Sequence, residues 1–544
     1  MVKIIPLVLF AVFLISCNID DKSKEEKSNN SIIKIDPDSK IDSAVITSFI
    51  KMFFVSDSIG EEVNQFYKRR NYKFAWFNKD GMTYATSFFY NQLQNYKFNF
   101  ADSSLNTIYL DTLMHEAQKD EHNFVSNKHN LQQLELSLTT IFFKYAKKAY
   151  GGKAKSLSEL EWFIPRHKKD YQIALDSLIL LTKGEKEQVP LNEHYFLLKV
   201  QLKKYRNIQK EGNLPFIENS KVKFSIGDTA TTLLLTKKYF YLTGDLKRND
   251  GTNIFTDSLV KAIKMFQRRM GLVESGNVND TSTIFELNQP IAFRIKQIMI
   301  NMERLRWLPV EMESNYILVN IPEFKLHVFE NGKQIWTTNI VVGKSVSQTS
   351  IFKDNVSQII LNPYWVIPTS IVQNEIIPHI KRNPSYLTKN NMEVLSGNKI
   401  VNPSRINWNS YKGNVPFTFR QMPGKNNALG KMKFLFPNSY DIYLHDTPSK
   451  NLFGDTKRAF SHGCIRIEDP EKLVLQLLKN DTKWDKKKID KILQTSKEVS
   501  IHLITTMPIY ILYFTTWVDN DGQLNFRNDL YDLDKKLSRE IYKE

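Results

Sequence analysis

Cys464 is the residue of this chain that is best suited to nucleophilic chemistry. It stands in the segment Ser461–Arg466 (SHGCIR), nineteen residues after His445. A cysteine attacks acyl groups as its thiolate, and only a few per cent of an ordinary thiol is ionised at neutral pH. A neighbouring imidazole must therefore accept the thiol proton, and the sequence offers two candidates, His445 and His462.

The residues around Cys464 predict an acyl-transfer site. His462 lies two residues before Cys464, so in an extended segment both side chains project to the same face. His445 instead ends the apolar run Ile442–Leu444, where a rigid strand can direct an imidazole towards a neighbouring loop. Gly463 permits close backbone approach, and the amides of Gly463 and Cys464 are candidates for binding a developing oxyanion.

Arg466 adds a fixed positive charge that suits a carboxylate on the substrate. Zinc binding by His445, His462 and Cys464 is an alternative, but no fourth ligand is evident in the sequence and the spacing matches no common zinc pattern. We therefore expect a cysteine enzyme that uses neither a metal ion nor a cofactor.

The second cysteine, Cys17, points to the cell envelope. The apolar run Ile4–Ile15 follows Lys3 and is within signal-peptide range, whereas a membrane span takes roughly twenty residues. Ser16 stands immediately before Cys17, and this arrangement resembles a bacterial lipobox, in which the cysteine is acylated and becomes the mature N-terminus. The alternative is an ordinary secretory signal in which Cys17 is incidental.

Acylation of Cys17 predicts attachment to a lipid membrane and leaves Cys464 as the only free thiol. No intramolecular disulfide can then form, even in an oxidising compartment. The charged residues that follow predict a flexible tether. We expect a lipid-anchored protein of the bacterial cell envelope that faces the periplasm, on the outer membrane in preference to the inner one.

The chain is strongly basic. It has 75 Lys and Arg against 58 Asp and Glu, a formal net charge of +17. Such a surface favours polyanions, namely nucleic acid, anionic lipid or the carboxylate-bearing cell wall. Export argues against nucleic acid as the partner, and the alternative is a compositional habit of the organism.

The spacing of apolar residues changes along the chain and predicts a multidomain α+β protein. Apolar residues recur every three or four positions up to about residue 216, in the connecting segment Ile291–Trp307, and in three short helices at Thr232–Leu242, Phe255–Met270 and Thr281–Leu287. The predicted units are a signal peptide (1–16), an acylated cysteine and tether (17–37), a helical N-terminal scaffold (38–222), a small three-helix domain (225–290), a connecting helix (291–312), a β-rich catalytic domain (313–498) and a C-terminal segment (499–544).

After Pro309 the apolar residues alternate, which is typical of strands. The predicted strands are Tyr316–Ile321, Lys325–Phe329, Gln334–Val342, Gln358–Leu361, Lys433–Phe436 and Asp441–His445. Asn331-Gly332 predicts a hairpin between the second and third of these. The short strands predict a sandwich or barrel.

One insertion interrupts these strands. Ser370–Ile380 predicts a helix and Lys381–Asn398 a polar loop. We expect this insertion, at about residues 370–398, to be a mobile lid beside the site.

Two stretches around the candidate residues, Tyr443–Pro448 and Ser461–Arg466, resemble the signature of L,D-transpeptidases with a YkuD-type catalytic domain. In that family a histidine is followed after roughly fifteen residues by Ser/Thr-His-Gly-Cys. Further segments are similar to the large, YcbB-like subtype. They are Asn301–Trp307, Leu361–Pro368, Arg420–Gly424, Asn427–Gly430, Tyr513–Trp517 and Asp521–Leu524. The three-helix unit resembles peptidoglycan-binding modules, which precede the catalytic domain in that subtype.

The resemblance implies a role for each matching residue. Cys464 is implied as the nucleophile and His445, rather than the nearer His462, as the base and later the acid. A backbone carbonyl after the base is implied as the third member, so the side chain of Asp446 need not take part. His462 and Gly463 are implied to shape the oxyanion region, with Tyr443 close to it.

The implied reaction is acyl transfer between peptidoglycan stem peptides. Cys464 would attack the bond between the L-centre of a diamino acid and the terminal D-alanine of a tetrapeptide stem, and a second stem would resolve the thioester into a 3→3 cross-link. Two other functions are an L,D-carboxypeptidase that uses water and a non-catalytic lipoprotein that tethers membrane to wall. An intact His445 and Cys464 pair argues against the tether. The sequence leaves the acceptor open between a second stem, water, a free D-amino acid and a protein lysine.

Overall fold

The structure is a computed structural model that describes residues 40–102, 105–152, 157–166, 168–220, 222–411 and 414–542. Cys17, the signal peptide and the tether all lie outside these residues. Within the described residues, no helix combines the length and the apolar character that crossing a membrane requires.

Helices make up the N-terminal half of the protein, and strands dominate after residue 315. The helices are α1 (Ser43–Met52), α2 (Asp57–Arg69), α3 (Tyr84–Phe100), α4 (Ile108–Lys119), α5 (Glu121–Ser126), α6 (Lys128–Ala149), α7 (Tyr171–Ile179), α8 (Glu193–Lys210), α9 (Thr231–Thr243), α10 (Asp257–Arg269), α11 (Thr281–Leu287), α12 (Ile291–Leu305), α13 (Thr369–Ile371), α14 (Ile377–Arg382), α15 (Tyr386–Lys389), α16 (Pro470–Leu478), α17 (Lys486–Leu493) and α18 (Leu533–Tyr542).

The strands are β1 (Phe77–Asn78), β2 (Gly81–Met82), β3 (Tyr316–Asn320), β4 (Lys325–Glu330), β5 (Lys333–Gly343), β6 (Phe352–Leu361), β7 (Trp365–Val366), β8 (Met392–Ser396), β9 (Lys399–Val401), β10 (Thr418–Gln421), β11 (Met432–Leu435), β12 (Leu444–His445), β13 (Ala459–Ser461), β14 (Ile465–Ile467), β15 (Val499–Leu512), β16 (Thr516–Val518) and β17 (Leu524–Phe526). The predicted combination of a helical N-terminal region with a β-rich domain is confirmed.

Helix α6 is the central helix of the N-terminal region. The side chain of Asn127 caps its first turn by accepting hydrogen bonds from two backbone amides. Glu135, in the middle of α6, is fully buried and accepts hydrogen bonds from the amides of Ala75 and Trp76 and from the Tyr67 hydroxyl. Burial raises the pKa of this carboxyl to about 7. A buried acid with three donors therefore fastens the turn after α2 to the core.

The three short helices predicted between residues 225 and 290 are present as α9, α10 and α11. Leu259, Ile263 and Phe266 of α10 are fully buried, at the three- and four-residue spacing of one helix face. Phe266 packs against Phe240 of α9, with ring centroids 5.5 Å apart. These contacts give the unit its own apolar centre.

Helix α12 is buried along most of its length and contacts each neighbouring unit through polar side chains. Arg294 pairs with Glu286 of α11. Asn301 donates to the Thr515 hydroxyl at 2.7 Å and accepts from the Thr515 amide at 3.0 Å. Arg306, just after the helix, donates to the carbonyl of Ala149 at 2.8 Å. The predicted connecting helix is thus the element that joins the three-helix unit, the C-terminal segment and the scaffold.

The β-rich region is a nine-stranded mixed sheet with the order β13-β5-β14-β12-β11-β6-β15-β3-β4. Strand β4 also pairs with β5, so the sheet closes on itself as a barrel. The β4–β5 hairpin turns at Asn331 and Gly332, both with positive φ, as the Asn-Gly pair predicted. The predicted β-rich domain is confirmed as a closed sheet rather than two packed sheets.

Strand β15 belongs to this sheet and lies between β6 and β3. Its residues belong to the predicted C-terminal segment (499–544), and the structure corrects that boundary because β15 is part of the barrel. The first half of β15 has exposed polar residues, and its pairing is irregular between His502 and Met507. A clear apolar alternation is therefore missing, and only the neighbouring strands identify β15 as central.

The insertion is larger and more ordered than a polar loop. Residues 381–398, predicted as a loop, contain the end of α14, helix α15 and strand β8. Strands β7, β10, β8 and β9 form a four-stranded sheet, and its apolar residues make a separate small core. Val394 and Phe419 of that core are fully buried. The prediction of a loop with little apolar surface was wrong, because the apolar partners lie far away in the sequence.

Replacing Arg306 by alanine should destabilise the protein by about 3–5 kcal/mol, because it removes the arginine that neutralises the buried Glu303. The Arg306 side chain is 5% exposed and lies 2.7 Å from Glu303. The control is Arg268→Ala, which breaks a 2.7 Å pair with Glu274 at a side chain that is 72% exposed. That change should cost about 0–1 kcal/mol. If calorimetry showed the same loss of unfolding free energy in both variants, the role of α12 in joining the units would be contradicted.

Candidate active site

Three adjacent strands bring the candidate residues together. Lys433 of β11 is paired with His445 of β12, and His445 is paired with Arg466 of β14. Alternate residues of a strand project to the same face, so Tyr443 shares the face of His445, and Cys464, directly before β14, shares that of Arg466. The side chains that carry chemistry therefore converge on one face of the sheet.

The residues between them face the opposite way, into the barrel core. Leu444, Ile465 and Ile467 are fully buried. This alternation of apolar and polar residues fixes the pairing of β12 with β14, because a shift by one residue would bury the polar side chains.

His445 is held as a neutral base. Its Nδ1 lies 2.5 Å from the carbonyl oxygen of Asp446, which can only accept, so Nδ1 carries the proton and Nε2 is the basic nitrogen. Burial and the positive charges of Arg466 and Lys433 lower the pKa of His445 to about 3. The imidazole is therefore neutral at physiological pH, and its Nε2 carries no proton.

The carboxylate of Asp446 makes contacts away from His445. It accepts a hydrogen bond from the Lys431 amide at 2.9 Å and pairs with Lys450 at 2.8 Å. The backbone of Asp446, rather than its side chain, orients His445.

The Cys464 thiol is half-buried and donates to the Asp441 carbonyl at 3.4 Å. Burial raises the pKa of the thiol, although the neighbouring Tyr443 and Lys433 oppose this shift. The resting pair is thus a neutral thiol and a neutral imidazole. Such a pair ionises only when His445 takes the proton during attack, as a general base does.

The loop before the thiol is fixed by short hydrogen bonds. The Ser461 hydroxyl donates to the Cys464 carbonyl at 2.6 Å and accepts from the Gly463 amide at 3.1 Å. Gly463 has φ of +122°, a conformation that side chains rarely permit. Its amide is therefore already engaged, and the Cys464 amide is the one that makes no hydrogen bond to any described residue. Of the two amides proposed for an oxyanion, that of Cys464 is the available one.

His462 does not share the environment of the thiol. The turn at Gly463 interrupts the extended conformation on which its predicted orientation depended. Its Nε2 instead lies 2.9 Å from Glu375, which belongs to a π-helical turn (Val372–Ile376) of the insertion. The structure thus separates the two histidines, with His445 in the sheet and His462 in contact with the insertion.

Arg466 is half-buried and forms no ion pair with a described residue. Its Nε atom is buried and has no partner there. An arginine in this state is suited to a substrate carboxylate.

Sequence reasoning missed Lys433, Glu375 and Trp365. Lys433 Nζ lies 3.9 Å from the centre of the Tyr443 ring. Trp365 of β7 lies close to the Tyr443 side chain, so the insertion reaches the site at this point as well. The motif Leu361–Pro368 contained Trp365, but it gave no reason to place the indole beside Tyr443. Among the described residues, no group of three or more His, Cys, Asp or Glu side chains is arranged to hold a metal ion.

Comparisons with known proteins assign this region to a family. Residues 314–489 match the model of the L,D-transpeptidase catalytic domain (YkuD), and residues 61–202 match a scaffold domain. The barrel region is a YkuD-type L,D-transpeptidase catalytic domain.

A curated relative from Haemophilus influenzae, named "Putative L,D-transpeptidase", is 32% identical over 244 residues, which are 45% of this chain and 49% of the relative. The chain thus matches about half the length of that relative. Among solved structures, an L,D-transpeptidase from Stackebrandtia nassauensis is 11% identical, with 53% of this chain and 94% of that chain covered and a TM-score of 0.21. One from Mycobacterium smegmatis is 10% identical, covers 37% and 58%, and has a TM-score of 0.19. With TM-scores this low, the assignment rests on the sequence matches.

Replacing Lys433 by methionine should raise the pKa of His445, because one of the two cations that disfavour imidazolium is removed. Histidine ring resonances followed by NMR should show that His445 of the unaltered protein does not titrate from about pH 5 to 8, and that its midpoint rises in the variant. Lys353→Met is the control, because that lysine pairs with Glu313. An equal midpoint in both variants would exclude Lys433 as a cause.

Proposed function

We propose that the protein is a peptidoglycan L,D-transpeptidase that forms 3→3 cross-links. The observation that carries this proposal is the neutral, oriented imidazole of His445 on the same sheet face as the Cys464 thiol. The thiol carries its proton at rest, so attack needs a base, and the Asp446 carbonyl orients His445 with Nε2 free to accept that proton. The pair is therefore suited to acyl transfer.

In the first half-reaction, Cys464 Sγ attacks the carbonyl of the bond between the diamino acid L-centre and D-alanine. Its proton passes to Nε2 of His445, and the Cys464 amide, with Tyr443 nearby, stabilises the oxyanion. His445 then returns the proton to the departing amine. D-alanine leaves, and a thioester remains on Cys464.

In the second half-reaction, the side-chain amine of another stem attacks the thioester. His445 removes a proton from that amine and gives one to the cysteine thiolate, which restores both groups. The free guanidinium of Arg466 and the ammonium of Lys433 suit the carboxylates that stem peptides carry. An acidic substrate explains why the base is flanked by two cations that form no ion pair with a described residue.

Two other functions are weaker. An L,D-carboxypeptidase would use water as acceptor and needs the same residues, so it differs only in the second half-reaction. A non-catalytic wall tether would not need the arrangement around His445. The lipid anchor at Cys17, the periplasmic location and the large YcbB-like subtype remain predictions that rest on the sequence.

Cys464→Ala and His445→Ala should each abolish cross-linking, because one removes the nucleophile and the other its base. Neither change removes a large volume, so thermal unfolding should stay near that of the unaltered protein. Mass spectrometry of the muropeptides formed by purified enzyme measures the cross-links. His462→Ala should lower the yield without abolishing it. Substantial cross-linking by Cys464→Ala would exclude the cysteine mechanism.

We also propose that the insertion acts as a lid over the donor stem. Its contacts with the site are Glu375 with His462 and Trp365 with Tyr443. The insertion has its own core, so it can move as a body about the segments that join β7 and β10 to the barrel. A closed lid would orient the stem and keep water from the thioester.

Glu375→Gln should loosen the closed position and shift product from cross-links towards tripeptides released by hydrolysis. Glu471→Gln is a matched control, because Glu471 is similarly exposed (43% against 49%) and also pairs with a basic residue, but belongs to α16. Chromatography of the products gives the ratio. The lid would be refuted by a ratio that Glu375→Gln leaves unchanged.

A further inference from the structure

The helical N-terminal region contains a large groove. It lies between α3, α7 and α8, with residues 185–190 along one side, and has a volume of about 1430 Å³. Pockets for small ligands are usually about 300–1,000 Å³. The groove therefore has room for an extended ligand. Val310, shortly before the first strand of the barrel, lies at its border.

One face of α3 lines the groove with aromatic and amide side chains. They recur at helical spacing, so all of them lie on the same side of the helix. They are Tyr84, Phe88, Asn91, Gln92, Asn95 and Asn99. Helix α8 contributes Phe196 from the opposite wall.

Two of these amides present buried acceptors that have no donor. Asn99 is 2% exposed, and its Oδ1 accepts no hydrogen bond from a described residue. Gln92 is held by Glu187, which accepts from its Nε2 at 2.6 Å, while its Oε1 is buried without a partner. Buried acceptors are normally satisfied, so a ligand rich in hydroxyl or amide donors is expected here.

The charge of the groove argues against an acidic ligand. Five carboxylates and three lysines line it, although the chain as a whole has a net charge of +17. A polyanion would be drawn to other surfaces. Aromatic rings and uncharged amides together suit sugar rings, which offer apolar faces for contact and hydroxyls for hydrogen bonds.

We propose that this groove binds an uncharged stretch of polysaccharide, the sugar backbone that carries the stem peptides. The inference rests on the proposed function only for the source of the polysaccharide. Holding the strand on the scaffold would keep the attached stems near the barrel and raise their local concentration at Cys464.

The test uses the full chain with Cys464→Ala, so that nothing is turned over, and uncharged glycan strands built only of N-acetylglucosamine, because stripping peptides from their sugars would leave carboxylates on the strand. Tyr84→Ala and Asn99→Leu should each weaken strand binding by about fivefold or more, since each removes one kind of contact. The control is Phe98→Ala on the same helix. Phe98 is 41% exposed, against 42% for Tyr84, but lies outside the groove lining. It should bind strands as the parent does.

Asn99→Leu should leave thermal unfolding nearly unchanged, because the replaced acceptor has no partner. If it does not fold, Tyr84→Ala decides alone. With Cys464 intact, Tyr84→Ala should react with sugar-free stem peptides at the parental rate, which separates this proposal from the proposed function. Strand binding that is absent, or equal in Tyr84→Ala and Phe98→Ala, would overturn the proposal. Loss of a protein partner in Tyr84→Ala, with strand binding retained, would also overturn it.

Discussion

The polar side chains of α12 determine how the units of this protein lie against one another. Charged and amide groups are costly to bury unless they are paired, so each one on α12 requires its partner in place. Those partners belong to different units. Glu286 comes from the three-helix unit, Ala149 from the scaffold, and Thr515 and Asp534 from the C-terminal segment. The C-terminal segment in turn reaches the end of β5, since Tyr531 donates to the Gly343 carbonyl.

Within the barrel, the free-energy cost of burying charge also determines the protonation state of His445. The Lys433–His445–Arg466 row places two cations beside an imidazole, which keeps that imidazole neutral without any acidic side chain. A carboxylate partner would stabilise imidazolium, whereas the Asp446 carbonyl orients the ring with only a partial charge. The site therefore combines a neutral imidazole with two cations that form no ion pair with a described residue.

If both proposals hold, the insertion and the helical region extend this site over a larger substrate. Glu375 and Trp365 bring the insertion to His462 and Tyr443, and the groove along α3 lies on a different unit. Units fixed through α12 can hold one polymer at several points. A substrate that is held at several points has its reactive bond positioned better than one that is held only at that bond.

The sequence by itself determined those features that depend on residues close to one another along the chain. Spacing identified α10 and α12, the Asn331-Gly332 pair identified a hairpin, and the Ser461–Arg466 motif identified the candidate nucleophile, because periodicity, turn chemistry and motifs are local. The tertiary structure alone decided the rest. It put Lys433 beside His445, made β15 a central strand, gave the insertion a core, and separated His462 from Cys464 through the turn at Gly463. Each of these depends on pairing between distant segments, where burial and charge, rather than local preference, decide which residues meet.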